Sequence, residues 1–210
     1  MGKIHDVQKL TDNRFVNLYH VDATSVHNTP VSYYVASRAK DIPSLKMKTG
    51  RNDPDGVIIY SVYGEKKDKV VLIRQYRYAL GGYIYEFPAG LVEPNEDFHE
   101  GAVREMHEET GLKLEPLKVD PAYEKPYFTT IGMTDESCAT VYGYASGEIS
   151  KAAQEDTEEI EVVLADRDEV RRILKEENVA IMCAYMLMHF LKDEELSPPQ
   201  IKLKIIKRVA

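Results

Sequence analysis

Three glutamates, Glu105, Glu108 and Glu109, stand at i, i+3 and i+4 within the stretch GLVEPNEDFHEGAVREMHEETGL, which runs from Gly90 to Leu112. The spacing predicts a helix for its second half. Phe98, Ala102, Met106 and Thr110 recur every four residues, Asn95 or Asp97 can cap the start, and Gly111 supplies the stop. On such a helix the three carboxylates share one side, where each like-charged pair costs roughly a few tenths of a kcal/mol. Glu108 and Glu109 also lie in the last turn, where the negative end of the helix dipole disfavours anions. A solvated acidic face is the plain account of such a cluster. The alternative is a hard divalent cation, since carboxylate oxygens suit magnesium, which is usually held by one or two carboxylates together with substrate phosphates. Arg104, four residues before Glu108, can brace that carboxylate from the side.

The residues around the glutamates favour the cation. Gly90, five residues, Glu96, seven residues and then Arg104-Glu105-Met106-His107-Glu108-Glu109-Thr110-Gly111-Leu112 match every fixed position of the Nudix box, nine constrained positions over twenty-three residues. The chain therefore resembles a Nudix hydrolase. The resemblance covers about residues 50–195 and implies a Nudix-type α/β/α sandwich with a mixed sheet. Glu105 and Glu109 are the first candidate ligands for Mg²⁺, with Mn²⁺ as a substitute. By the same resemblance the backbone carbonyl of Ala89 is a further ligand, Glu108 another ligand or a support for one, and Glu96 a brace for the loop. Bound divalent ions would neutralise a diphosphate, activate a water and stabilise the leaving phosphate, with no covalent protein nucleophile.

The flanks of the box point to a subgroup. Arg74-Gln75-Tyr76-Arg77, followed by Gly81-Gly82-Tyr83-Ile84-Tyr85-Glu86-Phe87-Pro88-Ala89-Gly90-Leu91, is similar to the segment that leads into the box of ADP-ribose pyrophosphatases. In those enzymes an N-terminal β domain helps form a homodimer, and residues 1–50 here have the size and strand character for it. The resemblance implies that Arg77 and Glu86 contact the diphosphate or ribose, that Arg38 binds phosphate and that Tyr33 stacks on adenine. Gly132 corresponds to a substrate-site glycine, although Ile131 stands where the family often has proline. For Arg38 and Tyr33 singly, an exposed strand-end arginine and a core tyrosine are the competing accounts. The general base of that subgroup lies on a separate acidic loop. Its counterpart is Gln154-Glu155-Asp156-Thr157-Glu158-Glu159, with Glu155 and Glu158 as candidates. The expected reaction is hydrolysis of ADP-ribose, or a similar nucleoside diphosphate sugar, to AMP and ribose 5-phosphate. Other nucleoside diphosphate derivatives, and a non-catalytic nucleotide-sensing module, are the alternatives.

Composition sets the outer bounds. The chain has 210 residues, 43% of them hydrophobic, enough for one packed domain with a small appendage. A net charge of −8 and a pI near 5.3 argue against a nucleic-acid surface, which is expected to show a basic patch. Cys138 and Cys183 form no metal-ligand spacing and no disulfide framework, which fits a reduced, cytoplasmic setting. The N-terminus MGKIHDVQKL has no apolar signal core, and no apolar run approaches the roughly 18 residues of a membrane span. His107-Glu108-Glu109-Thr110-Gly111 begins like a zinc-protease helix but lacks the second histidine, and no P-loop, dinucleotide fingerprint or nucleophile elbow occurs.

The elements that must position these residues read as follows. A hairpin of Arg14–Val21 and Val31–Ser37 precedes a linker over Asp41–Pro54, which separates a small N-terminal antiparallel β region, residues 1–50, from a Nudix domain over 51–210. Strands are predicted at Val57–Tyr63, Val70–Tyr76, Tyr83–Phe87, Tyr123–Thr130, Ala139–Tyr144 and Ile160–Leu164. Gly147–Glu159 reads as a polar loop, Asp166–Glu176 as a helix, and Ala180–Leu191 as a helix buried all round. The tail IKLKIIKRVA is basic and reads as a terminal strand docking on the domain, with a membrane-surface role as the alternative.

Overall fold

In the computed structural model, residues 1–154 and 159–192 are described. The strands are β1 Lys3–Lys9, β2 Asn17–Thr24, β3 Pro30–Ser37, β4 Gly56–Tyr63, β5 Lys69–Arg77, β6 Gly82–Glu86, β7 Ala89–Leu91, β8 Lys113–Pro116, β9 Tyr127–Phe128, β10 Ser137–Ser146 and β11 Ile160–Ala165. The helices are α1 Lys46–Thr49, α2 Phe98–Thr110, α3 Pro121–Glu124, α4 Arg167–Glu176 and α5 Ile181–Lys192. Strands β1, β2 and β3 form a small antiparallel sheet in that order. The other eight form a second sheet of order β11-β5-β4-β10-β8, with β6 beside β5, β7 beside β4 and β9 beside β10. By contact density the chain divides into two units. One comprises Met1–Ile58, Gly90–Gly101 and Pro121–Thr140, and the other Ile59–Ala89, Ala102–Asp120 and the chain from Val141. Among the described residues no helix is long and apolar enough to cross a membrane.

In the first unit, β2 and β3 pair without a break from Asn17 opposite Ser37 to Thr24 opposite Pro30, as their β-branched and aromatic runs predict. Strand β1 was not legible, because KIHDVQK buries only Val7 and so shows no two-residue apolar period. Val7, Tyr19, Val21, Val35 and Leu45 build a small core, against which Ala39 and Ile42 pack. Leu45 belongs to the stretch expected to be a linker, and the structure corrects that reading. It is fully buried, and Lys46 beside it donates to Asp55 at 2.7 Å and to Asn52 at 3.2 Å, so the segment is anchored rather than free.

The second unit buries the apolar runs of β4 and β5, with Ile59, Val62 and Val70 to Ile73 all inaccessible. Ala102, Met106 and Thr110 of α2 are inaccessible too, which is the face that their four-residue spacing implies, while His107 is exposed. At the other end of α2, the Asp97 carboxylate accepts from the His99 N–H at 2.9 Å and its pKa is lowered by that bond, so Asp97 is the cap. Asn95 instead occupies a left-handed turn position at φ 69°. Two expectations fail. The Tyr123–Thr130 stretch is the one-turn α3 and the two-residue β9, because Pro121 opens a helical turn closed by the Lys125 N–H on its carbonyl at 3.0 Å. Helix α5 is one-sided rather than buried all round. Cys183, Leu187 and Phe190 are inside, while Ile181, Tyr185 and Met188 face solvent.

Gly111 has a φ of +75°, and a Cβ there would lie 2.6 Å from both the amide nitrogen and the Cβ of Ser150. Gly111→Ala is expected to lower stability by at least about 1–2 kcal/mol, the usual cost of a left-handed alanine, with the backbone clash added. Urea unfolding with an unchanged m-value checks this, and a variant as stable as the wild type would show that the 147–154 segment yields easily.

Candidate active site

The box glutamates come together at the C-terminal end of α2, in the second unit. Pro88 is pinned by its carbonyl, which accepts from the Ile59 N–H at 2.9 Å, and the next residue turns its N–H inward. That Ala89 N–H donates to Glu109 Oε2 at 3.0 Å, and Glu109 is only 3% exposed. A carboxylate so deeply placed is stable only with strong partners. Arg104 Nη1 donates both to Glu105 Oε1 at 2.8 Å and to Glu108 Oε2 at 2.9 Å, so one guanidinium nitrogen bridges two of the three acids. The predicted brace on Glu108 is therefore present and extends to Glu105. Among the described residues no group of three His, Cys, Asp or Glu side chains is arranged to hold a metal ion. The donor chemistry nonetheless fits a hard divalent cation. Three carboxylates crowd the negative pole of one helix, one is buried against a backbone N–H, and a single arginine offsets the other two.

Elsewhere in the same unit Arg77 Nε donates to Glu86 Oε2 at 2.7 Å across neighbouring strands β5 and β6, so the two predicted substrate residues form a pair. Arg74 lies 3.9 Å from the centre of the Tyr83 ring and 3.4 Å from Glu161. The Tyr83 hydroxyl donates to Glu159, whose carboxylate raises the tyrosine pKa. Glu155 and Glu158, the candidate bases, lie outside the described residues.

In the first unit Tyr33 and Gly132 meet, although 99 residues separate them. The Tyr33 hydroxyl donates to the Gly132 carbonyl at 2.5 Å, and the Ala36 N–H donates to the Met133 carbonyl at 2.9 Å. Tyr33 is 41% exposed and so is not a core tyrosine. Its ring lines a cavity of about 660 Å³ whose walls include Val21, Val31, Val35, Phe128 and Ile131, with Lys46 and Arg51 also lining it. Arg38 is paired rather than isolated, with Nε at 2.9 Å and Nη2 at 2.7 Å from Glu136 Oε1.

Several participants escaped sequence reasoning. Phe128 and Glu136 were given no role in a site by the sequence, and Ile131 stood out only for occupying the position where the family often has proline. Gln154 donates from Nε2 to the Glu109 carbonyl at 2.6 Å, and nothing local announces that contact. Both cysteines are free, and burial raises their pKa values, that of Cys138 to about 11, so neither is a reactive thiolate at neutral pH.

The family model for the NUDIX domain matches residues 53–184. The Caenorhabditis elegans protein named as nudix hydrolase 2 is 34% identical over 119 residues, 54% of this chain, which spans about half of that relative, 52%. The ADP-ribose pyrophosphatase of Bacillus subtilis is 28% identical over 148 residues, covering 68% of this chain and 75% of that one. Among solved structures, one described as an ADP compounds hydrolase superposes with a TM-score of 0.65 at 17% identity, over 91% of this chain and 94% of the other, a likeness of fold alone. With the box glutamates gathered on α2 and the domain model matching most of the chain, this protein belongs to the NUDIX family, and within it is similar to an ADP-ribose pyrophosphatase.

Proposed function

We propose that this protein is a Mg²⁺-dependent pyrophosphatase that hydrolyses ADP-ribose, or a similar nucleoside diphosphate sugar, to AMP and ribose 5-phosphate. The observation that supports it best is the buried Glu109, held by the Ala89 N–H beside Glu105 and Glu108 on their shared arginine. Glu105 and Glu109, with Glu108 as ligand or support and the Ala89 carbonyl, would hold the cation. When bound, it would neutralise the diphosphate and lower the pKa of a water. The rest falls to the chain's own groups. Arg77 offers a guanidinium to phosphate and Glu86 orients it. A glutamate of the acidic loop, Glu155 or Glu158, takes the proton of the attacking water. The water oxygen joins one phosphorus, and the bridging oxygen leaves with the other.

Base recognition in this reading uses the Tyr33 cavity. Its hydroxyl is already bonded to Gly132, so the ring contributes its face. Arg38 would serve a phosphate through donors that Glu136 does not use. Residues 1–50 would complete the site in a homodimer, because a three-stranded sheet with five core residues is too small to stand alone. Two free cysteines are consistent with a cytoplasmic protein.

A substrate panel with Mg²⁺, scoring AMP and ribose 5-phosphate, tests the reaction directly, and release of neither from ADP-ribose would remove the proposal. Glu109→Gln keeps the side-chain shape and an acceptor for Ala89, so the fold is expected to hold with stability unchanged or slightly raised. Its kcat is expected to fall more than about tenfold, over ~1.4 kcal/mol of barrier, and a smaller loss at saturating Mg²⁺ would show that Glu109 is no ligand.

Glu155→Gln and Glu158→Gln, made separately, identify the base. One of them is expected to lower kcat by roughly 10²–10⁴-fold with little change in KM. If both stay near wild type, the base belongs to the box, and Glu108 is tested next.

For Arg38→Ala the expectation is a KM for ADP-ribose raised by roughly 10–150-fold, the equivalent of about 1.5–3 kcal/mol for a lost charged hydrogen bond. Sedimentation of the full chain is expected to show a dimer. An active monomer, or an Arg38→Ala enzyme of normal KM, would make the N-terminal strands an accessory.

A further inference from the structure

A helix leaves its last four carbonyls without intrahelical partners, and α2 ends with those of His107 to Thr110. Gly111 N–H takes the His107 carbonyl at 2.8 Å. Two others are taken by a segment about forty residues further along the chain. The Ser150 N–H donates to Thr110 at 3.0 Å, and the Gln154 side-chain amide donates to Glu109 at 2.6 Å. The fit is close, because Gly111 has no room for a Cβ against Ser150. Glu109 is thus gripped twice, its carboxylate by the Ala89 N–H and its backbone carbonyl by Gln154.

We propose that Gln154 is a positioning residue for Glu109: its amide caps the last turn of α2 from outside and so fixes the direction in which the buried carboxylate is presented to a divalent cation. The proposal rests on the metal-binding reading above. Its physical basis is twofold. A carbonyl oxygen can only accept, so the contact requires the amide nitrogen of Gln154, not its oxygen, to face Glu109. Added donors at the C-terminal pole also reduce the negative potential that three glutamates must otherwise withstand. A ligand whose backbone can rock by a few tenths of an ångström loses affinity for a small ion with strict geometry, as magnesium demands. Outer partners that orient a ligand are worth 10–100-fold in metal affinity in comparable sites.

The test is Mn²⁺ binding to the metal-free full-length protein, followed by the electron paramagnetic resonance signal of free Mn²⁺, for wild type, Glu109→Gln, Gln154→Ala, Gln154→Glu and Gln154→Lys. Gln154→Ala and Gln154→Glu are expected to weaken Mn²⁺ at least fivefold and to raise the Mg²⁺ needed for half-maximal kcat by a similar factor. The KM for ADP-ribose at saturating Mg²⁺ should stay within twofold. Gln154→Lys restores an N–H donor of sufficient reach and is expected to recover most of the affinity. A cap serving stability alone would lower Tm and leave Mn²⁺ binding untouched. So Glu109→Gln weakened with Gln154→Ala unchanged overturns this proposal and spares the metal reading, whereas Glu109→Gln binding Mn²⁺ like the wild type overturns both.

Discussion

The last turn of α2 ends at a negative pole, and there the chain places Glu108 and Glu109, which oppose the dipole, with Glu105 one turn earlier adding a third like charge. Much of the second unit around that point reads as a response to this charge. The Ala89 N–H turns to Glu109, Arg104 bridges Glu105 and Glu108, and Ser150 and Gln154 donate to the terminal carbonyls. The partners come from three stretches of sequence, the residue at Ala89, α2 itself and the 147–154 segment. An acidic helix end with no role would be relieved more simply by exposing the side chains to water. Burying Glu109 to 3% exposure instead agrees with the proposal that its charge is kept for a ligand.

The three acids are not equivalent. Glu108 keeps 43% of its side chain exposed and shares Arg104, whereas Glu105 is at 14% on the same guanidinium and Glu109 is inside on a backbone donor. Loss of charge at Glu108 is screened by water, but at Glu109 the change falls in a low-dielectric setting where every interaction is larger. In the proposed metal site that gradient of burial favours Glu109 and Glu105 as ligands, with Glu108 a further ligand or a support for one.

Legibility in the sequence followed the range of the interaction. Helix α2, its Asp97 cap, its buried stripe and its acidic side all follow from spacing within one turn or two, and β4 and β5 follow from continuous β-branched runs. Strand β1 was lost because six of its seven residues stay out of the core, and α3 because a proline-led turn has no apolar period. The contacts of Tyr33 with Gly132 and of Arg38 with Glu136 join residues about a hundred positions apart. No local pattern encodes such a pairing, and only the resemblance to a family pointed at Tyr33, Arg38 and Gly132. Gly147–Glu159 reads from sequence as a polar loop, and its residues 147–154 are irregular in the structure, but no local pattern announces that their amides end a helix.

The arginines show the same economy of charge. With a net charge of −8, the protein pairs its candidate phosphate ligands with its own carboxylates, Arg77 with Glu86 and Arg38 with Glu136, as it pairs the bracing Arg104 with Glu105 and Glu108. A guanidinium offers five donors in a fixed fork, and Glu86 accepts from one of Arg77's, so a phosphate can be bound without first breaking the pair. In the proposed reading the carboxylate would hold the fork in place before substrate arrives, which would lower the ordering cost that long side chains otherwise add to binding. Pairing of this kind weakens the field felt at long range but sharpens the geometry at contact. If the anionic substrate proposed above is right, an acidic protein such as this one would recognise it through the pre-set orientation of a few arginines rather than through a broad positive surface.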